Sequence, residues 1–405
     1  MTSEAPESRK PRVAILSRSF SKSAGGAENY AVSLAEQVVD EFEVHVFCER
    51  SDVLHPDIRI HLMGRTIKRP RWIALWLFAW WSWRQTRQGF AIVHSHENTW
   101  HGNVQTAHVR PMRYSLFALA KNPFAKLLVY LKIFTSPRLM AHLWLEGLRF
   151  RGGDERVVVA VAPALGDLIA STYGVHKSRF RLVPPGIHIP AISNASDPSI
   201  LSKADGRKAL GLPLEGWALL LVGHNFEKKG LAAVLRSVRL LPADMSLLVV
   251  GGDSKQVDTW RARCIHQSLE GRVVFAGTLS DAAPAFAVAD CLVHATLDDM
   301  FPLVVLEAMA ANVPVVLSVA PYCLASPLVQ EARAAWMLQD PKSEKQIAHA
   351  VNTLRADVDL RQTQLGRATE FSQNHRWSQV ARQQAQIYRL LLSGESSTPS
   401  RYPSE

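Results

Sequence analysis

The chain has 405 residues, 47% of them hydrophobic, and carries 46 Lys or Arg against 36 Asp or Glu for a net charge of +10. That length and apolar content suit two or three packed domains and exclude a fibrous or disordered polypeptide. No apolar run reaches the roughly 20 residues that a bilayer-spanning helix needs, and the polar start MTSEAPESRKPR is read as lacking a secretory signal.

RVAILSRS, a loop, a helix at about 27–39 and EVHVFCE follow one another in βαβ order. IVHSH, VQTAHV and RVVVAVAP are continuous apolar runs, the pattern of parallel strands covered on both faces. The Pro- and Gly-containing stretch VPPGIHIPAISNASDPS interrupts this series, and a second one follows. It reads WALLLVGH, a helix at about 229–240, SLLVVGG, RVVFAG, CLVHAT, an apolar helix and VPVVLSV. A long amphipathic helix at about 377–392 and the polar tail SGESSTPSRYPSE end the chain. The expected architecture is α/β, with two Rossmann-like, doubly wound domains facing across a cleft. Their predicted limits are 1–188 and 205–375, with a linker at 189–204, a helix at 376–393 and a disordered tail at 394–405. Ligands of such sheets bind at the carboxyl ends of the strands, so function is expected there. Cys48, Cys264, Cys291 and Cys323 lack CxxC spacing and read as reduced thiols of a cytoplasmic protein.

The stretch DDMFPLVVLEAMAANVPVVL places Glu307 inside an otherwise apolar helix, with Asp299 ahead of it. A buried carboxylate without a partner costs several kcal/mol or more, so Glu307 must meet protein or ligand. Asp299 is read as the N-cap, Pro302 as a first-turn residue and Asn312 as the stop signal. The acids would then flank a helix N-terminus and its free N–H groups, a span of roughly 12 Å at 1.5 Å per residue. That is about the length of a sugar-diphosphate-ribose unit.

Two further loops leave predicted strands at their carboxyl ends. SRSFSKSAGGAENY ends in Gly25 and Gly26 before a helix, where missing side chains let backbone N–H groups approach an anion. A plain tight turn is the alternative, since the GxGxxG spacing is absent. LLLVGHNFEKKGL sets Gly223, His224, Lys228 and Lys229 in the loop after the first strand of the second series. A lysine at the next helix start is well placed to neutralise a diphosphate leaving group.

The positive charge is concentrated. Between Arg59 and Arg151 fifteen Lys or Arg face two acids, Glu97 and Glu146, a local surplus of 13 that exceeds the +10 of the whole chain. Seven of the eleven tryptophans lie in the same segment. RWIALWLFAWWSWRQTRQ puts Trp72, Trp76, Trp80 and Trp83 on one side of a helix, with Arg69 and Arg71 ahead and Arg84 and Arg87 behind. Such a helix suits an anionic membrane interface; a core helix of the first domain is the alternative. YSLFALAKNPFAKLLVYLKIF repeats the apolar-plus-lysine pattern. Nucleic acid is disfavoured as the partner, because the aromatics sit in dense apolar runs instead of among polar residues.

In combination these motifs resemble the retaining glycosyltransferases of family 4, which have the GT-B fold. GGAE (25–28), VHSH (93–96), VPPGI (183–187), VGHNFEKKG (222–230), VVFAG (273–277) and HATLDDMFPLVVLEAMA (294–310) follow the family order across about residues 11–393. The resemblance implies that Glu307 holds the ribose hydroxyls and that Asp299 takes the first acidic position, near the donor sugar. The backbone of Phe301, Pro302, Leu303 and Val304 would face the phosphates, Lys229 would bind the diphosphate, and Gly25 and Gly26 would line the phosphate and acceptor side. Gly223, His224 and Lys228 belong to the donor loop, Phe275 to the base pocket, and His108 lies near the transferred sugar. His94 and His96 are further candidates, with a structural strand-end role as the alternative. The C-terminal helix would cross back to the first domain. Two positions depart from the family pattern: Asp299 replaces the usual Glu, and His224 replaces a common arginine, which leaves Lys228 to supply the charge.

The implied activity is retaining transfer of a hexose or heptose from a nucleotide-sugar, with UDP-sugar the expected form. His108, Lys229 and Asp299 would be the catalytic residues. Cations and helix N-termini stabilise the leaving diphosphate, so no metal or cofactor is required; Asp298 and Asp299 as a metal pair are the alternative. The expected acceptor is a lipid-linked anionic glycan such as lipopolysaccharide core, met by a peripheral protein on the inner face of the cytoplasmic membrane. A polyprenyl-diphosphate exopolysaccharide intermediate is the alternative acceptor. A non-catalytic module binding nucleotide-sugar or membrane is the alternative function.

Overall fold

The computed structural model describes residues 10–22, 25–64, 66–67, 69–118, 120, 122–153, 155–188, 202–279 and 281–394. They fall into two compact units, Met1–Gly186 with Trp377–Glu405, and Ile187–Arg376. Of the predicted linker only 202–204 is described, and of the predicted tail only Gly394.

Unit 1 runs β1 (Arg12–Leu16), β2 (Ser19–Phe20), α1 (Gly26–Val38), β3 (Glu43–Cys48), β4 (Arg50–Ser51), β5 (Ile58–Leu62) and α2 (Arg71–Thr86). It continues with β6 (Ile92–Ser95), β7 (Val104–Ala107), α3 (Met112–Phe117), α4 (Pro123–Phe134), α5 (Pro137–Arg151), β8 (Val157–Ala160), α6 (Pro163–Tyr173) and β9 (Phe180–Leu182). Seven strands form one sheet in the order β5-β3-β1-β6-β7-β8-β9, parallel at every pairing. The continuous apolar runs are accounted for by burial on both faces: Val13 to Leu16 and Val158 to Ala160 are fully shielded. Local signals set the helix ends. Asn122 and Ser136 accept from the N–H groups of Ala125 and Leu139 ahead of Pro123 and Pro137, and Gly174 stops α6 in the left-handed conformation.

Unit 2 runs α7 (Lys203–Ala209), β10 (Trp217–Val222), α8 (Leu231–Val238), β11 (Met245–Val250), α9 (Ser254–His266), β12 (Val273–Gly277) and α10 (Ala283–Val288). Then come β13 (Cys291–His294), α11 (Leu303–Ala310), β14 (Val315–Ser318), α12 (Ser326–Glu331), β15 (Trp336–Leu338), α13 (Glu344–Ala356) and α14 (Val358–Asn374). Its sheet is ordered β12-β11-β10-β13-β14-β15 and is again parallel at every pairing. In both sheets the order reverses at one strand, β1 or β10, and the loops leaving the carboxyl ends beside that strand are where doubly wound sheets bind ligands. Asp290 fastens α7 to this sheet by accepting from Arg207 at 2.7 Å and from the Ala218 N–H at 2.8 Å.

The last helix, α15 (Trp377–Ser393), returns to unit 1. Tyr388 is fully buried there, edge-on to Phe42. Trp377 packs on Gly186, where an added Cβ would stand 2.8 Å from its ring. The four cysteines are buried free thiols. Among the described residues no helix is long and apolar enough to cross a membrane.

Several imidazoles of unit 1 are buried or half-buried. Burial, the largest cause in each, holds His94, His101 and His108 down to about 3 and His96 well below its ordinary value. A histidine whose folded pKa is depressed binds fewer protons folded than unfolded, so stability is intact above about pH 6.5 and is lost as pH falls toward 3. Each such histidine contributes at most about 1.4 kcal/mol per pH unit in that window. The thermal midpoint of unit 1 should therefore fall steeply between pH 6.5 and 5, as read by calorimetry, and replacing the His94 imidazole by glutamine should flatten that fall.

Candidate active site

In unit 2 the loops after β10, β13 and β14 converge at the carboxyl ends of neighbouring strands. The first carries Lys229. Its aliphatic stem lies against Gly223, where a Cβ would stand 2.5 Å from Lys229 Cγ, so a side chain there would displace the lysine. Gly230 caps α8 with φ +76°, and a Cβ on it would meet the Ala295 carbonyl oxygen at 2.0 Å; the close approach requires glycine. The Lys228 carbonyl accepts from the Leu297 N–H at 2.7 Å and from Thr296 Oγ1 at 3.1 Å, which ties the lysine loop to the loop after β13.

Asp299 is the hub of this loop cluster. Its Oδ2 pairs with Lys229 Nζ and accepts from His294 Nε2 at 3.1 Å. Its backbone N–H donates to the Tyr322 carbonyl at 2.9 Å, and its carbonyl accepts from the Leu324 N–H at 3.0 Å. Burial works to raise the Asp299 pKa, but the His294 hydrogen bond and the Lys229 ammonium outweigh it and hold the acid at about 2. His294 is itself pushed down by burial, so it is a neutral ring with Nε2–H donating and Nδ1 unpaired. The neighbouring Asp298 pairs with Lys228 at 2.9 Å, and His224 is exposed.

Helix α11 corrects one expectation. It begins at Leu303 with Pro302 as its cap residue, so Asp299 is not the N-cap. The reason is the pairing just described: Asp299 lies in an extended bridge with Cys323, and that backbone is committed across the sequence instead of to the helix. Asn312 closes the helix as expected, in the left-handed region at φ 58°. Val305, Leu306, Ala308 and Met309 point into the core, while Leu303, Val304 and Glu307 stay partly exposed. The Glu307 carboxylate makes no hydrogen bond or ion pair with a described residue, although burial, and then Asp281, raise its pKa. It is a partly desolvated carboxylate that the described protein leaves unanswered. Phe301 stands 5.8 Å from the His375 ring, and Phe275 lies on β12 beside the register shift at Val249/Val250, with its ring near Phe226.

In unit 1 the loop after β1 brings Gly25 and Gly26 to the start of α1, and the Gly25 carbonyl accepts from the Asn29 N–H at 2.9 Å. His96 and His108 follow β6 and β7, and their facing nitrogens, Nδ1 of His96 and Nε2 of His108, are 2.9 Å apart. Their planes differ by 16° at a centroid separation of 5.2 Å, the geometry of an in-plane, edge-on hydrogen bond. His94 lies beneath them, bonded to Tyr388 Oη and Thr106 Oγ1 at 2.6 Å each. Arg149, buried and lowered by that burial to about 10, donates to Gln105 Oε1 at 3.1 Å and to Asn98 Oδ1 at 2.8 Å. Glu97, raised by burial, accepts from the Arg18 N–H at 3.0 Å. His94, Glu97, Arg149 and His294 show how polar groups collect at these strand ends. For His294 the signal was present: CLVH ends an apolar strand with an imidazole at the ligand edge of the sheet.

The aromatic surface is arranged differently from the helical-wheel expectation. On α2 the face formed by Ala74, Leu75, Phe78, Ala79 and Ser82 is buried. Trp72 and Trp76 are half-buried, with Trp76 stacked on Trp144 at 4.5 Å and leaning on Trp100. Only Trp80 and Trp83, 49% and 37% exposed, reach outward beside Arg84 and Arg87; Arg69 and Arg71 are exposed ahead of the helix. The open apolar face is on α4, which buries no residue. Phe124, Leu127, Leu128, Leu131 and Phe134 are between 51% and 74% exposed, flanked by Lys126 and Lys132.

Residues 24–189 match the family described as Glycosyltransferase Family 4, and residues 217–357 match the family described as Glycosyl transferases group 1. The lipopolysaccharide glucosyltransferase WaaG of Escherichia coli K12 is 25% identical over 47% of this chain and 50% of its own length. The chain spans between half and three fifths of the length of the first curated relatives it matches. The crystal structure of WaaG superposes with a TM-score of 0.74 at 18% identity, covering 93% of this chain and 99% of that one. Anabaena Alr3699/HepE in complex with UDP-glucose gives 0.64 at 17% identity, covering 93% and 99%. At such identities the solved structures speak for the fold alone. With two parallel α/β units and two family matches that together span most of the sequence, the chain belongs to the glycosyltransferases of GT-B fold, built from a family 4 domain and a group 1 domain.

Proposed function

We propose that the protein transfers a hexose or heptose, with retention, from a UDP-sugar to a lipid-linked anionic glycan of the lipopolysaccharide-core type. It would act as a peripheral protein on the inner face of the cytoplasmic membrane. The observation that carries the donor half is Glu307, a carboxylate on α11 with raised pKa and no described protein partner. A ribose diol donating two hydrogen bonds would answer it. The solved HepE complexes with UDP and UDP-glucose support the choice of donor, and the similarity to WaaG supports the choice of acceptor.

In this reading the anomeric bond to the diphosphate breaks as the bond to the acceptor oxygen forms, and the acceptor proton leaves with the diphosphate. Negative charge grows on the leaving group. Lys229 and the open N–H groups at the start of α11 stabilise it, and Asp299, kept ionised, holds Lys229 in register until the phosphates compete for it. Asp299 then has a free acceptor lone pair for a sugar hydroxyl. Lysine, amide dipoles and the leaving group supply the stabilisation, so the reading includes no metal.

For membrane contact the reading moves from Trp72 and Trp76 to α4, with Trp80 and Trp83 secondary. An apolar face of five large side chains flanked by Lys126 and Lys132, in a segment with a surplus of 13 positive charges, matches an anionic bilayer surface.

Three outcomes test these assignments. UDP and a UDP-sugar at a hundred times their dissociation constants should stabilise the protein by about 2.7 kcal/mol. Glu307→Gln should abolish that stabilisation while raising the midpoint of the free protein by a few degrees, about 1 kcal/mol, because a partnerless carboxylate is removed; a variant that still gains the full nucleotide shift overturns the site. Lys229→Ala should slow release of UDP from the donor by about 10²- to 10³-fold, and failure of every nucleotide-sugar to bind or hydrolyse would favour the non-catalytic alternative. Leu127→Ser with Leu131→Ser should weaken flotation with anionic vesicles by at least about tenfold, each buried leucine being worth about 1.5 kcal/mol or more, and leave donor hydrolysis unchanged. Unaltered flotation would remove α4 from the membrane surface.

A further inference from the structure

Two neutral imidazoles joined by one hydrogen bond must choose which of them donates. At the ends of β6 and β7, His96 Nδ1 and His108 Nε2 share a single proton across 2.9 Å. Their outer nitrogens differ sharply. His96 Nε2 is buried and has no partner among the described residues, whereas His108 is partly exposed and its Nδ1 makes no bond to a described residue. If His108 donated, His96 would have to carry its own proton on Nε2, an orphaned N–H. If His96 donates, its Nε2 is a bare lone pair. Orphaned buried donors are rarer in proteins than under-satisfied acceptors, so the second arrangement wins.

We propose that His96 is a positioning residue that fixes the tautomer of His108, so that His108 presents an Nδ1–H donor to an oxygen acceptor on the bound substrate. No proton is transferred; the relay sets the direction of one hydrogen bond before substrate arrives. The surroundings keep it neutral. Burial holds both rings uncharged, and the fixed cation of Arg149 works in the same direction. His94 does not disturb the choice, because both of its nitrogens meet hydroxyls, Tyr388 Oη and Thr106 Oγ1, that can rotate to donate or accept. Tyr30 closes the third side with its ring edge-on to His108 at 5.0 Å, its own hydroxyl committed to the Val183 carbonyl at 3.3 Å. The identity of the acceptor oxygen, on a transferred sugar, rests on the glycosyltransferase reading. The tautomer does not.

The test separates the two. Long-range proton–nitrogen NMR of the full chain, with the His108 signals assigned by their loss in His108→Gln, should show Nδ1 protonated and Nε2 bare. A wild-type protein with Nε2–H on His108 overturns the proposal, whatever its activity. His96→Val removes the donor and should shift His108 toward the Nε2–H form, with donor hydrolysis falling at least about tenfold. His96→Asn places an amide N–H where Nδ1 stood and should restore both the spectrum and most of the rate. A valine variant with an unchanged His108 spectrum and unchanged turnover also overturns it. Should that variant fail to fold, the wild-type spectrum alone decides. An Nδ1–H spectrum in a protein that hydrolyses no nucleotide-sugar would instead leave the tautomer standing and remove the sugar as its target.

Discussion

A charge withdrawn from water must be matched by an opposite charge, by hydrogen bonds or by a ligand, and this constraint accounts for the ligand edge of unit 2. Asp299 is matched by Lys229 and His294, and the neighbouring Asp298 by Lys228. Glu307 breaks the rule. A folded chain tolerates such an exception where a bound molecule completes the account, so the unanswered carboxylate is the most informative group in the unit. The glycines serve the same arrangement: Gly223 gives the lysine stem its channel and Gly230 brings the loop against Ala295.

Unit 1 solves the problem in the opposite way. Its strand ends gather imidazoles that stay neutral, His96 bonded to His108 and His94 to the hydroxyls of Tyr388 and Thr106. Neutral rings are cheaper to bury than ions, and they still carry directed donors and acceptors. The ligand edge of unit 2 is thus dominated by paired charges, whereas that of unit 1 sets neutral, oriented imidazoles beside the buried Arg149.

Much of this was legible in the sequence because the signals were local. Continuous apolar runs such as Leu219 to Leu221 mark strands buried on both faces, and Glu307 stands out as an acid among apolar neighbours. What was misread depended on contacts distant in sequence. Asp299 has the look of a cap because it precedes a helix, yet its backbone is claimed by Tyr322 and Leu324. Four of the five tryptophans of α2 share a helical side, but Trp144 and Trp100 cover Trp76. The lysine-flanked run of α4 showed its composition but not that its apolar side faces outward, since helical period alone does not say which face is inside.

The return of α15 to unit 1 has a consequence for biosynthesis. Tyr388 and Trp377 fill positions that the first 186 residues leave open, and His94 loses a hydrogen-bond partner without Tyr388. The amino-terminal unit is thus discontinuous and stays incomplete while the ribosome makes everything between. Residues 187–376 are all synthesised before that unit can close, so the later-encoded unit is the first able to finish. A nascent chain stalled before residue 377 would expose an unsealed amino-terminal core, which makes that interval the one in which chaperone contact matters most.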